Sequence, residues 1–244
     1  MAKNSTQKPE AESRKRQREA EPPEEKLPAK RRKPSNVEKA PQFFKRPKYT
    51  SCGSKCGGKL STAVLGPNGY LSVNTDAASN KPSGITAARK KYPQYGFKAG
   101  HLLNATFGGD GKDANNLMIL TASANVKCNK FDNRVKEAIQ ELHGFYEKLC
   151  DKYADISQVK FGIQVEVEVE ALTWGYKPPE CWIHKTFFMS ASTVDSVDVE
   201  SLKDSNGEKL KLSDKEKKDI EGAAEKVENA LASCTKMRID NTQA

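Results

Sequence analysis

The sequence predicts an α+β fold in which an antiparallel sheet packs on one long helix. Residues 158–171 alternate apolar and polar side chains, the pattern of a strand that is buried on one face. Residues 123–150 repeat apolar side chains at intervals of three and four, which predicts an amphipathic helix. Two short apolar runs, 97–103 and 117–120, enclose a glycine-rich turn and predict paired strands.

The first fifth of the chain is predicted to be a disordered basic tail. Residues 1–50 contain 15 Lys and Arg against 7 Asp and Glu, and they lack apolar periodicity. Two basic clusters, separated by 11 residues, are spaced like a bipartite nuclear import signal that binds an import carrier: Arg14, Lys15, Arg16 and Arg18, then Lys30, Arg31, Arg32 and Lys33. The alternative is a polybasic arm that binds phosphates, but the spacing favours import.

The remainder of the chain is close to neutral. Residues 51–200 contain 17 basic and 16 acidic side chains, and residues 201–244 contain 9 of each. The pI of about 9.1 therefore describes the tail and does not indicate a basic globular surface. No apolar run approaches the roughly 18 residues that a membrane span needs, so no membrane contact is expected.

Six cysteines are expected to be reduced, since the N-terminus lacks the apolar segment of a secretory signal. Cys52 and Cys56 form the one close pair. A zinc site would need two more ligands at a similar spacing, and the sequence shows none. The cysteines, together with His143 and His184, are therefore expected to be structural.

The folded domain is expected to span residues 51–190. Residues 59–65 and 70–73 flank a Gly-Pro-Asn-Gly turn and predict a hairpin. Residues 74–93 are predicted to form a loop with one helical turn near Ala87. After the long helix and the alternating strand, residues 182–189 supply one more strand.

Residues 191–244 are predicted to form a Ser/Asp-rich linker and a charged C-terminal helix. Ser213 and Glu216 have the spacing of a capping box. The helix that follows has an apolar stripe, which docks on the domain or binds a partner: Ile220, Ala223, Ala224, Val227 and Leu231.

His101 and Asn125 are the candidate chemical groups. A histidine in an apolar run is more often a core residue, but Gly100 before it and the glycine-rich turn after it permit a tight hairpin that exposes the imidazole. Asn125 falls at the start of the long helix, where it either caps the helix or holds a metal ion. An amide oxygen suits Mg²⁺, which takes few protein ligands.

These residues resemble a known family over about 40 positions. The matching segments are Gly100-His101-Leu102-Leu103, Phe107-Gly108-Gly109, Asn116-Leu117 and Thr121-Ala122-x-Ala124-Asn125, and they look like the DNA/RNA non-specific endonucleases of the ββα-metal, or His-Me finger, group. The resemblance implies a ββα-metal core, with His101 as general base and Asn125 as ligand of Mg²⁺ or Mn²⁺. It also implies that Asn116 shapes the catalytic site.

The chemistry agrees with that resemblance. A neutral His101 takes the proton from water, and a metal ion stabilises the phosphate and the leaving oxygen. Many family members carry Asp-Arg before Gly-His, where this chain has Lys98-Ala99. Lys98 or Lys112 is expected to supply the positive charge instead. Further support for the metal is expected from the helix: Asn129, Asn133 or Glu137.

The sequence therefore favours a nuclear-targeted, metal-dependent nuclease that cuts DNA, or both DNA and RNA, with little sequence preference. The import signal suggests a toxin or effector that acts in a host nucleus. Two alternatives stay open: a catalytically decayed nuclease scaffold that binds nucleic acid, and a nuclear adaptor whose C-terminal helix recruits a partner.

Overall fold

The computed structural model describes Val37, Ala40 and residues 42–69, 81–153, 159–195 and 208–243. The chain divides into two units, Met1–Lys33 and Pro34–Ala244. The first unit, which contains both basic clusters, lies outside the described residues, as does the predicted strand 70–73.

Within the described ranges the second unit forms seven strands and three α-helices. In chain order these are β1 Phe43–Gly53, β2 Gly57–Leu65, α1 Ile85–Lys91, β3 Lys98–His101, β4 Leu117–Leu120, α2 Ala122–Lys152, β5 Gly162–Val169, β6 Thr186–Val194, α3 Asp214–Leu231 and β7 Met237–Asp240. Short 3₁₀ turns lie at Pro93–Tyr95, Ala105–Phe107, Ala114–Asn116, Glu180–Trp182 and Ala232–Cys234.

The strands form one antiparallel sheet in the order β3-β4-β2-β5-β6-β7, and β1 pairs with β2. β2 and β5 pair from Leu60 opposite Glu168 to Leu65 opposite Ile163. β3 and β4 pair from Lys98 opposite Leu120 to His101 opposite Leu117. The fold class is therefore α+β with an antiparallel sheet, as the sequence predicts.

The main core lies between α2 and one face of the sheet. β5 buries the apolar side of its alternating pattern, as expected: Ile163, Val165, Val167 and Val169. The apolar stripe of α3 is also buried in this core, and Ser213 and Glu216 form the predicted capping box. The stripe that a partner would bind is thus already covered by the domain.

The predicted start of the folded part is wrong. Residues 43–50, which the sequence assigns to the tail, form most of β1, and β1 pairs with β2. Val37 is also buried, and Asn68 Nδ2 donates to the carbonyl oxygens of Val37 at 2.5 Å and Ala40 at 2.9 Å. β1 is missed because it is a basic edge strand with a break in register around Pro47, so its composition matches the tail.

Two further boundaries differ from expectation. β6 continues to Val194, inside the segment that was predicted to be linker, and β7 was not predicted. The other long elements, α2, β5 and α3, occur where the apolar periodicity of the sequence predicts them. Among the described helices, none combines the length and apolar character needed to cross a lipid bilayer.

Candidate functional site

His101 is the last residue of β3, and its imidazole is half-buried. Nε2 is buried and makes no hydrogen bond within the described part of the chain. Burial lowers the pKa of His101 below its ordinary value, and the nearby Asp110 carboxylate opposes that shift. His101 is therefore neutral near pH 7, which is the form that accepts a proton.

Gly100 lets the start of α2 lie close to β3. A Cβ at this position would come within 2.1 Å of Leu120 Cδ1 and 3.6 Å of Asn125 Oδ1. At the first distance a side chain at position 100 would displace Leu120, and the second shows that the Asn125 amide lies beside the residue that precedes His101. Asn125 therefore lies against the Gly100 face of β3, the face opposite the one from which His101 projects.

Asn125 does not cap α2. Thr121 is the N-cap, and its Oγ1 accepts a hydrogen bond from the Ala124 N–H at 3.1 Å. The capping role that the sequence left open for Asn125 is therefore wrong. The partly exposed Asn125 amide lies in the first turn of the helix, where its oxygen remains available to a ligand.

Asn116 was predicted as a catalytic residue, but its side chain is fully buried. Its Oδ1 accepts from the Leu103 N–H at 2.8 Å, and its Nδ2 donates to the carbonyl oxygens of Leu103 at 3.1 Å and Asp110 at 3.2 Å. Because both amide protons are used, Asn116 cannot contact a substrate. It is a positioning residue that holds the loop between β3 and β4.

Lys98 was predicted to supply charge beside the imidazole. Side chains alternate between the faces of a strand, so Lys98 and His101 extend from opposite faces of β3. Ala99 shares the face of His101 and packs against an apolar cluster with Phe97 and Ile119. The strand therefore places no cation next to His101, while Lys112 is exposed on the loop that carries Asp110.

The helix residues predicted to support a metal are not equivalent. Asn129 is exposed one turn beyond Asn125. Glu137 is twelve residues beyond Asn125, about 18 Å along the axis, and pairs with Arg134 at 3.2 Å. Glu137 therefore cannot share an ion with Asn125, and that prediction is wrong.

Asp132 is a buried carboxylate that the sequence analysis missed. It lies seven residues after Asn125, so the two project from the same face of α2. Burial raises its pKa to about 6. Asn104 Nδ2 donates to Asp132 Oδ2 at 2.5 Å, and Asn104 Oδ1 accepts from the Thr106 N–H at 2.9 Å. Asp132 thus fastens the loop after His101 to α2, and the spacing of seven could have revealed it.

Asn241, which follows β7, joins several segments around this site. Its Oδ1 accepts from the Thr121 N–H at 2.8 Å. Its Nδ2 donates to the carbonyl oxygens of Ile119 at 3.0 Å and His184 at 2.9 Å. A single buried amide therefore fixes the end of β4, the start of α2 and the segment before β6.

A second group of side chains lies outside this site. The ligand atoms of Cys52, Cys56 and His184 are all within 4.8 Å of one another. The expectation that the cysteine pair has no further ligand, and that His184 is merely structural, overlooked this contact. His184 is 132 residues from Cys52, so no local spacing could indicate it.

Comparison with known proteins gives no independent identification. No family model matches the chain, and no match to a curated protein or to a solved structure is detected.

Proposed function

We propose that this chain is a metal-dependent nuclease that hydrolyses phosphodiester bonds of DNA, with RNA as a second substrate. One observation carries the proposal: β3 ends in a neutral imidazole whose buried Nε2 has no hydrogen-bond partner among the described residues, and the Asn125 amide at the start of α2 reaches the preceding residue, Gly100. Two antiparallel strands that lead directly into a helix support the further proposal of a ββα-metal core, formed by β3, β4 and α2.

The donor set fits a hard divalent cation. Asn125 offers an amide oxygen that no helix cap uses. Mg²⁺ accepts one or two protein oxygens and retains several waters, and Mn²⁺ has similar preferences. When bound, the ion would neutralise charge on the phosphate and on the leaving oxygen.

The protein's own groups would prepare and deprotonate the water. His101 would accept the proton, and its lowered pKa keeps it in the basic form. Asn116 and Asp132 would hold the following loop, and with it the direction of the imidazole. Because His101 and the metal ion would act at the phosphate rather than at the bases, little sequence preference is expected.

The test is cleavage of supercoiled plasmid and of RNA by the full chain, with Mg²⁺, Mn²⁺ or EDTA. We expect cleavage with either metal and none with EDTA. Asn125→Ala should require more Mg²⁺ for the same rate, because the ion loses its protein ligand. Asn229→Ala, at an exposed position on α3, is the matched control and should cut like the wild type.

If the protein binds nucleic acid but does not cut it with either Mg²⁺ or Mn²⁺, the enzyme proposal is contradicted. That result would support the decayed scaffold instead.

We also propose that the basic tail directs the nuclease to the nucleus, where it would act as a toxin or effector in a host cell. Deletion of residues 1–33 should disperse a fluorescent fusion through the cell and leave cleavage unchanged. The deletion must end there, since Val37 is buried and β1 begins at Phe43. Deletion of residues 1–13, which spares both basic clusters, is the control. Nuclear accumulation without residues 1–33 would refute the import role.

A further inference from the structure

Three potential ligands of a thiophilic metal converge from distant parts of the chain. Cys52 lies near the end of β1, Cys56 lies in the turn to β2, and His184 lies just before β6. Their sulfur and nitrogen atoms are all within 4.8 Å of one another, and Cys52 Sγ is 3.3 Å from His184 Nε2. In tetrahedral zinc sites, the usual bond lengths place ligand atoms about 3.5–3.8 Å apart. The cluster therefore has nearly the dimensions of a zinc site before any ion is bound.

His184 has the orientation of a metal ligand. Its Nδ1 lies 2.8 Å from the carbonyl oxygen of Glu170, which can only accept, so the ring proton is on Nδ1. Nε2 is then unprotonated, with its lone pair directed toward Cys52. Histidines that bind metals usually donate their second nitrogen to a carbonyl or carboxylate in this way. Its side chain is almost fully buried, which also fixes the ring.

The turn between β1 and β2 brings the two cysteines together. Gly53 and Gly57 have φ values of 108° and 98°, a conformation that other residues rarely adopt. Cys56 Sγ lies 2.7 Å from the Cys52 carbonyl oxygen, and Cys52 Sγ lies 3.2 Å from the Gly57 carbonyl oxygen. Both thiols are thus directed inward, over the backbone of the turn.

We propose that Cys52, Cys56 and His184 bind one Zn²⁺ ion, with the fourth position taken by water or an exogenous ligand. Two thiolates and a neutral imidazole would balance the charge of the ion. Sulfur ligands select zinc over the hard cations that suit the Asn125 amide. This site is separate from the proposed nuclease site and does not depend on it.

A zinc ion here would fasten the β1–β2 turn to the segment before β6. The turn also adjoins the nuclease site, because a Cβ at Gly57 would come within 2.0 Å of the carbonyl oxygen of Leu117. Leu117 is the strand partner of His101. The zinc would therefore support the start of β4 without contacting a substrate.

The experiment measures zinc in the full chain, purified with a reductant and without chelators, and then titrates the metal-free protein with Co²⁺. We expect one zinc per chain by mass spectrometry, and the thiolate charge-transfer and tetrahedral d–d bands of cobalt. Cys52→Ser, Cys56→Ser and His184→Ala should lose the metal and the bands. Cys150→Ser and His143→Ala, which change the same residue types outside the cluster, should retain both.

Wild-type protein that is folded and reduced but neither contains zinc nor develops cobalt bands would overturn the proposal. Unchanged bands in all three cluster variants would also overturn it. If the variants fail to fold, the wild-type titration still decides the question. A Cys52–Cys56 disulfide, with no metal uptake after its reduction, would show that the pair is a redox pair instead. No step involves nucleic acid, so failure of the nuclease proposal would not affect the result.

Discussion

Replacing His101 with alanine is expected to lower the rate of Mg²⁺-dependent plasmid cleavage by about 10²–10⁴-fold. That factor is the usual contribution of a positioned general base. The other two histidines have different contacts: His143 lies 3.3 Å from the Pro67 carbonyl oxygen, and His184 belongs to the cysteine cluster. The measurement is the initial rate of nicking at saturating Mg²⁺, with circular dichroism to verify folding. His143→Ala, a partly exposed histidine on α2, is the control.

The pH dependence provides a second measure of the same role. Protonation would remove the base, so activity should fall as the solution becomes more acidic. Burial lowers the pKa of His101, which moves this loss below the ordinary histidine value of 6.5. If the alanine variant cut at the wild-type rate, His101 would not be the base. The same would hold if both proteins lost activity over the same acidic pH range.

Replacing Asn116 with alanine is expected to destabilise the domain by roughly 3–5 kcal/mol. The substitution removes three hydrogen bonds and leaves the N–H and carbonyl of Leu103, and the carbonyl of Asp110, without their side-chain partner. Leu103 is almost fully buried, so water cannot readily replace the lost amide. The measurement is the free energy of unfolding from urea denaturation.

Asn115→Ala, at the preceding and partly exposed position, should cost little and is the matched control. The Asn116 variant should also cut more slowly while still folded. The Asn116 carbonyl oxygen accepts from the Leu102 N–H at 2.7 Å, directly after His101, so loosening of this loop would release the imidazole. Equal stability of the two variants would mean that the loop is held by other contacts.

The elements with strong periodicity were predictable from the sequence. α2 and β5 each repeat their apolar positions over many residues, and β3 and β4 flank a turn with an obvious composition. β1 and β7 were not predictable, because one has the charge of the tail and the other has only four residues. Both segments form strands because they pair with a neighbouring strand, β1 with β2 and β7 with β6, and their own sequence patterns do not indicate this.

The candidate site likewise contains some residues that the local sequence indicates and others that only the fold brings together. His101 and Asn125 were proposed from the residues beside them, and their roles stay predictions. Strand alternation separates Lys98 from His101, and the rise of the helix separates Glu137 from Asn125. The bonded pair Asn104 and Asp132, and the contact of His184 with Cys52, join residues 28 and 132 positions apart. Such contacts depend on the whole fold, and local spacing does not encode them.

Asn241 is synthesised after the three residues that its side chain contacts. A growing chain reaches this residue 57 positions after His184, when the side chains of both candidate sites have already been made. Until then, the amide that joins Thr121, Ile119 and His184 is missing. Neither the start of α2 nor the histidine of the cysteine cluster has its final support on the ribosome before residue 241 emerges. Completion of the two sites is therefore coupled to completion of this stretch of the chain.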